Sequence, residues 1–552
     1  MIKHLLFTLL FGLFWFPLIA QKNYSTSQEI TQRLQKLNSN TSASLTSLTK
    51  TEGGQDIWVL KVGVGDLNNK PAIAVVGGAE GFHVLSVELA LQFAERLVNQ
   101  HPEILESTTF YIFPNMSPDA YNQYHSNLKY ERRGNATKED QDRDGSISED
   151  PYEDLNKDGF ITQMRIESPM GDYTLHPSDT RVLIKADRSK GEAGSYIVYS
   201  EGIDNDKDGK FNEDVEEGIA FNTNFTYKFP VFHPFAGDYP VSQKETRALV
   251  DYLFDQWNIF AFVTFSPANN LSEPLKFNEG DAKKRVLTSM LKKDVATNKM
   301  ISELYNKTIS QKAFQQDNQG TDGDFFQWAY FHFGRLSFST PGWWVPEMKA
   351  EKTEDDKNIK EESKEKPSET KQKPIITKES NFMAWADEQD LKDVFIPWTT
   401  VSHPDFPNQK VEVGGIKPFV MINPPFTLVD SIAIQHTDFI LKLAGMQPKL
   451  EFHNIKVEKL SGGLSRITAD LFNNSPLPTH SELGEKSRWL RKIRIDITKD
   501  KKEVIAGNTI NLIDKLDAFE TKTLSWIVKG SGNVEIKAGA AHCGIATLNT
   551  KL

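Results

Sequence analysis

Cysteine is almost missing from this chain. Cys543 is the only one in 552 residues, so no intramolecular disulfide is available and stability must come from packing or bound ions. A membrane-spanning apolar run is missing too. The apolar stretch from Leu5 to Phe16 is too short and too close to the terminus for an anchor. With Lys3 before it and Pro17 and Ala20 after it, residues 1–20 read as a secretory signal peptide. Positive charge is in deficit. Lys and Arg number 64 against 75 Asp and Glu, a formal net charge of −11 that argues against nucleic acid or an anionic membrane as partner. The mature protein is expected to be exported, to the periplasm, cell envelope or beyond, with no transmembrane span.

What is present is organised around Pro71 to Leu97, PAIAVVGGAEGFHVLSVELALQFAERL. A short run of small and β-branched residues predicts a buried strand, and Gly77 and Gly78 end it. Leu85, Leu89, Phe93 and Leu97 then recur at helical spacing. Strand, Gly-rich turn and helix is where an α/β protein builds a site at the strand's carboxyl end. The turn carries one carboxylate, Glu80. Further strands are expected at Ile57–Val62, Thr108–Phe113 and Ile259–Phe265, with an amphipathic helix from Ile30 to Leu37. Ser242 and Glu245 in SQKE read as a capping box. The fold class is therefore α/β, a sheet with flanking helices, over residues 21–446. Residues 449–552 are expected to form a separate β-sandwich, since Ile467, Ala469 and Leu471, and Ile493, Ile495 and Ile497, alternate with polar residues.

Three Asp-rich loops interrupt the first domain within an insertion at 136–218. They carry Asp140, Asp142 and Asp144; Asp154, Asn156 and Asp158; and Asp204, Asp206 and Asp208, each followed by Gly. Oxygen ligands at positions 1, 3 and 5 with Gly at 6 are what a hard cation such as calcium needs. Position 12 holds Pro151, Arg165 or Val215 instead of Glu, so these are not EF-hands. Glu149, Asp150, Glu213 or Asp214 is left to close a looser cage. Farther along, residues 348–380 are charged and nearly free of apolar side chains, and a disordered insertion is expected there. Residues 381–446 rejoin the first domain, with HPDFPNQKVEVGGIKPFVMINPP read as irregular and a helix following. His542 beside Cys543 reads as a surface histidine next to a buried thiol.

The strand, turn and helix around Glu80 resemble the first zinc-binding motif of the M14 zinc carboxypeptidases, in which a strand ends in His-x-x-Glu. The resemblance extends over roughly residues 25–445 and implies a zinc peptidase fold, with a mixed and mostly parallel sheet and flanking helices. It matches Glu80 to the zinc-binding glutamate and places Gly77 at the first histidine. PNMSPDAY is a loosened form of the family's next loop. The resemblance further puts Ser266 at the second histidine, Thr223 at the substrate-anchoring arginine and Pro341 at the catalytic glutamate. Asn222 and Arg133, the latter in YERRGN, match the family's substrate and oxyanion residues. A zinc peptidase needs three protein ligands, a carboxylate base and cationic groups. The resemblance therefore implies a non-catalytic pseudo-peptidase, its zinc lost, with a cleft for peptide or glycan termini built from Asn222, Arg133 and Glu80. Two alternatives stand beside it: an active metallocarboxypeptidase with metal on Glu80 and further ligands such as His83, and a calcium-stabilised cell-envelope scaffold. Trp343 and Trp344 are ligand-binding aromatics or, more in keeping with such residues, packing.

Overall fold

The computed structural model describes residues 23–140, 145–212, 215, 217–312, 320–348, 375–487 and 490–552. The expected signal peptide, Asp142, Asp144, Glu213, Asp214 and residues 349–374 of the expected disordered insertion lie outside the described residues.

Every residue of the strand Ala72–Val76 is buried. Alternate side chains enter opposite cores: Ile73 and Val75 on one face, Ala72, Ala74 and Val76 on the other. The strand lies inside a six-stranded sheet ordered Ala43–Lys50, Asp56–Val62, Thr109–Phe113, Ala72–Val76, Ile259–Phe265, Leu336–Thr340. The last four run parallel and the first two are antiparallel. The sheet is thus mixed and mostly parallel, as expected. Helices Ser27–Asn38, Val84–Gln100, Lys292–Thr308 and Phe426–Gly445 pack on one face, Lys244–Asp255 and Phe325–Phe331 on the other. Because four strands share a direction, their carboxyl ends open on one edge, the place for a site in an α/β sheet.

A second six-stranded sheet is a correction to the sequence reading. It is ordered Phe395–Val401, Val411–Ile416, Gln163–Glu167, Tyr196–Ser200, Tyr173–Leu175, Leu183–Lys185. The stretch read as irregular supplies the strand Val411–Ile416, whose Val413 pairs with Met164 of the insertion. These strands are short and find their partners far along the chain, so local patterning does not reveal them. The capping box is also absent. Helix Lys244–Asp255 begins after Gln243 without a side-chain cap, and Glu245 is buried, accepting from Asn135 Nδ2 at 2.7 Å. Residues 378–380, placed in the disordered insertion, instead open the helix Lys378–Glu388, whose Thr377 and Ser380 form a capping box.

Residues from Leu450 onward form two four-stranded antiparallel sheets. Ile467, Ala469, Leu471, Ile493, Ile495, Trp526, Val528 and Ile536 fill the core between them. The alternation seen in the sequence is the inward face of each sheet.

Candidate functional site

The turn after Ala72–Val76 is built so tightly that Gly77 has no room for a side chain. A Cβ there would lie 2.5 Å from the Ser86 carbonyl oxygen and 2.7 Å from that of Pro114. Backbone bonds fix it, with Gly77 N–H donating to Phe113 O at 2.8 Å and Met116 N–H to Gly77 O at 3.2 Å. Gly78 follows at φ +63°, a left-handed conformation suited to glycine, and its N–H donates to Ser86 Oγ. Glu80 is half-buried. Its Oε1 accepts from Asn222 Nδ2 at 3.0 Å, and Asn222 Oδ1 accepts from Phe325 N–H. Burial raises the Glu80 carboxyl; Asn222 and the nearby Arg133 offset part of that rise.

His83 is 1% exposed, with no hydrogen bond to either ring nitrogen among the described residues and the Pro341 backbone as its polar neighbour. Burial depresses it to about 4, so the ring is neutral. The helix beginning at Val84 receives its cap from elsewhere. Asn423 Oδ1 accepts from Leu85 N–H at 2.9 Å, while its Nδ2 donates to Phe82 O.

The other strand ends are equally closed. Ser266 is buried, with Oγ 2.9 Å from Ser339 Oγ. Asn270 donates to Ser337 O and accepts from Ser339 N–H, covering the last strand. Thr340 Oγ1 is 2.8 Å from the Tyr305 hydroxyl, and Pro341 follows with no ionisable group. Thr223 Oγ1 donates to Ala220 O and Phe235 O. Trp343 and Trp344 are buried, Trp343 beside Trp385 at 5.4 Å, so they pack. The side chains at the positions expected for zinc do not fit that ion. Glu80 is the one ligating group there, Gly77 admits none, and Ser266 is tied to Ser339. Among the described residues, Asp204, Asp206 and Asp208 are the only trio of His, Cys, Asp or Glu with ligand atoms within 4.8 Å of one another.

Beside this closed edge lies a cavity of about 1040 Å³ between the insertion sheet and the first domain. Arg133 lines it, as does Phe235, whose carbonyl holds Thr223. Arg132 is engaged with the carbonyls of Gly134 and Asn135, which leaves Arg133 as the arginine of YERRGN on the cavity. Burial raises the carboxyls of Glu80, Glu131 and Glu217, and Arg133 offsets part of the rise in each. Glu217 Oε2 in turn accepts the Arg133 and Gly134 N–H groups. Five acidic and five basic side chains line the cavity with three tyrosines, of which Tyr130 and Tyr152 have ring centroids 4.2 Å apart. Balanced charge and aromatic faces suit a polar or zwitterionic ligand. Tyr130, Tyr152 and Glu217 carry no signal in the sequence, because they join Arg133 at the cavity only when the insertion folds back.

The Asp-rich loops differ from one another. In the first, Asp140 accepts from Gly145 N–H and its other two carboxylates lie outside the described residues. In the second, Asn156 Nδ2 donates to Asp158 Oδ2, so one ligand position is turned on another. The third brings its three carboxylates together. Asp150, one of the expected cage-closing residues, instead accepts backbone N–H groups of Asn205 and Asn212.

Comparison with known proteins names the class. Residues 30–366 match the zinc carboxypeptidase family, peptidase M14, and this chain belongs to it. Residues 449–551 match a domain of unknown function (DUF8731). No curated protein matches the chain. Among solved structures it is similar to bovine thrombin-activatable fibrinolysis inhibitor in complex with tick carboxypeptidase inhibitor, at 12% identity and TM-score 0.40, covering 77% of this chain and 97% of that one. Carboxypeptidase A from Helicoverpa armigera gives 12% and 0.35, covering 57% and 63%. A metallo-carboxypeptidase from Burkholderia cenocepacia gives 11% and 0.29, covering 56% and 58%. Membership rests on the family match.

Proposed function

We propose that this chain is a non-catalytic member of the zinc carboxypeptidase family whose cavity beside Arg133 binds peptide or glycan termini. The observation that carries the reading is Gly77, where neighbouring backbone oxygens exclude any ligating side chain. Ser266 and Thr223, whose hydroxyls are engaged within the fold, and Pro341, which has no ionisable group, support the same reading. Arg133 and the Tyr130–Tyr152 pair supply a hydrogen-bonding fork and aromatic faces for a ligand. Calcium belongs to this reading as the ion of the Asp-rich loops, with the convergence of Asp204, Asp206 and Asp208 in its support. Export belongs to it through residues 1–20. No helix among the described residues is long and apolar enough to cross a membrane.

The test is a panel of peptides with free C-termini and of oligosaccharides, offered to wild type and to Arg133→Ala. Wild type is expected to bind one class without cleaving it, and Arg133→Ala to bind it at least about 10-fold more weakly, the loss of one charge-assisted contact. Release of C-terminal residues, or equal binding by both proteins, contradicts the proposal.

A further inference from the structure

We propose that Asp204, Asp206 and Asp208 hold one hard divalent cation of the calcium class, and that this ion braces the cavity wall through Asp150 and Asn212. The proposal rests on the calcium reading of the loops and adds which loop binds and what the ion does.

Two independent features mark the third loop. Its carboxylates converge within 4.8 Å. Asp204, moreover, is only 8% exposed, and its Oδ1 has no hydrogen-bond partner among the described residues while Oδ2 accepts from Gly209 N–H at 3.1 Å. A buried carboxylate oxygen left without a donor is unfavourable, and a cation is the partner its charge and its two carboxylate neighbours call for. Lys210 Nζ, 2.5 Å from Asp208 Oδ2, is displaced when the ion enters.

From the loop, contacts run to the cavity. Asp150 is wholly buried, and its Oδ1 accepts from Asn205 N–H at 3.0 Å. Its Oδ2 accepts from Asn212 N–H, so one carboxylate ties both ends of the loop. Asn212 lines the cavity, and its Nδ2 donates to Glu201 O at 2.9 Å. Glu201 Oε2 accepts the N–H and hydroxyl of Thr162, which lines the cavity as well. Closing the loop on an ion therefore fixes two wall residues. Without the ion, Lys210 offsets the charge of Asp208 alone, and the remaining repulsion among the carboxylates loosens the loop.

The experiment uses the full chain, stripped with a chelator and titrated with calcium chloride alone. Wild type is expected to bind at a site that Asp204→Asn and, separately, Asp206→Asn weaken roughly 10-fold or more. Asp206 is only half-buried, so its variant keeps the comparison open if the Asp204 variant misfolds. Calcium should also slow amide exchange at Asn212 and Thr162 in wild type and leave it unchanged in the variants. Equal calcium affinity in wild type and the folded variants overturns the site. Calcium binding without slowed exchange at Asn212 and Thr162 overturns the brace. Neither result bears on whether the cavity takes a ligand, which the Arg133→Ala comparison decides separately.

Discussion

A side chain at position 77 would meet backbone carbonyls, which cannot swing aside as a flexible side chain can. Gly77→His is therefore expected to destabilise the protein by about 1–3 kcal/mol or more, the cost of overpacking a close-packed interior. It should gain no zinc affinity, because the imidazole has no path to Glu80 without moving the helix that carries Ser86. Urea denaturation and zinc titration of the variant check both halves. A well-folded Gly77→His protein that binds zinc would show that the turn opens. Glu80 offers a related test. Its bond from Asn222 Nδ2 lowers a carboxyl that burial raises, so Asn222→Leu should push Glu80 further up. A carboxyl raised in the folded state stabilises below its unfolded value and loses that contribution as pH rises through the folded one. The variant should therefore lose more stability than wild type between about pH 4.5 and neutrality, read from denaturation midpoints across that range.

Among the elements, the helix Val84–Gln100 owes its start to a distant residue. His83 precedes it without a side-chain cap, and Asn423 supplies both the acceptor for Leu85 N–H and the donor to Phe82 O. Asn423→Ala should cost about 0.5–2 kcal/mol, the usual price of a lost cap. Asn423→Asp keeps the acceptor and should recover part of it, measured by the same denaturation. This helix and the strand before it were legible in sequence because Ile73, Val75, Leu85, Leu89 and Phe93 are buried by their own local pattern. The second sheet was not legible. Met164 and Val413 face a small core that neither segment specifies alone. The same divide runs through the site. That Gly77 and Ser266 carry no zinc-ligating side chain is plain from residue type, and the family resemblance makes these the expected ligand positions. The means of closure is not legible there, since Asn423, Asn270 and Ser339 arrive from other parts of the chain.

At the scale of the whole molecule, the α/β part and the C-terminal sheets meet over buried polar groups. Ser481 Oγ donates to Gly334 O, and Glu482 N–H donates to Asp294 Oδ1 at 2.7 Å. Nearby, the His480 and His542 rings lie 4.3 Å apart, with Arg335 close enough to disfavour charge on both. Burial first, then Arg335 among its neighbours, depresses His480 to about 4. The unfolded chain takes up that proton near pH 6.5 and the folded one does not, so stability is full above that value and falls as pH drops toward 4. His480→Gln should flatten the decline by up to about 1.4 kcal/mol per pH unit across this window. Parallel curves for the two proteins would place the proton elsewhere. The proposed function requires that packing closes the zinc positions of a carboxypeptidase fold. Its most direct test is the zinc content of the purified full-length protein, measured together with hydrolysis of C-terminal peptides. The expected result is zinc well below one equivalent and no released residue, since a lone carboxylate cannot replace the several ligands such sites use. One equivalent of tightly held zinc with carboxypeptidase activity would contradict it.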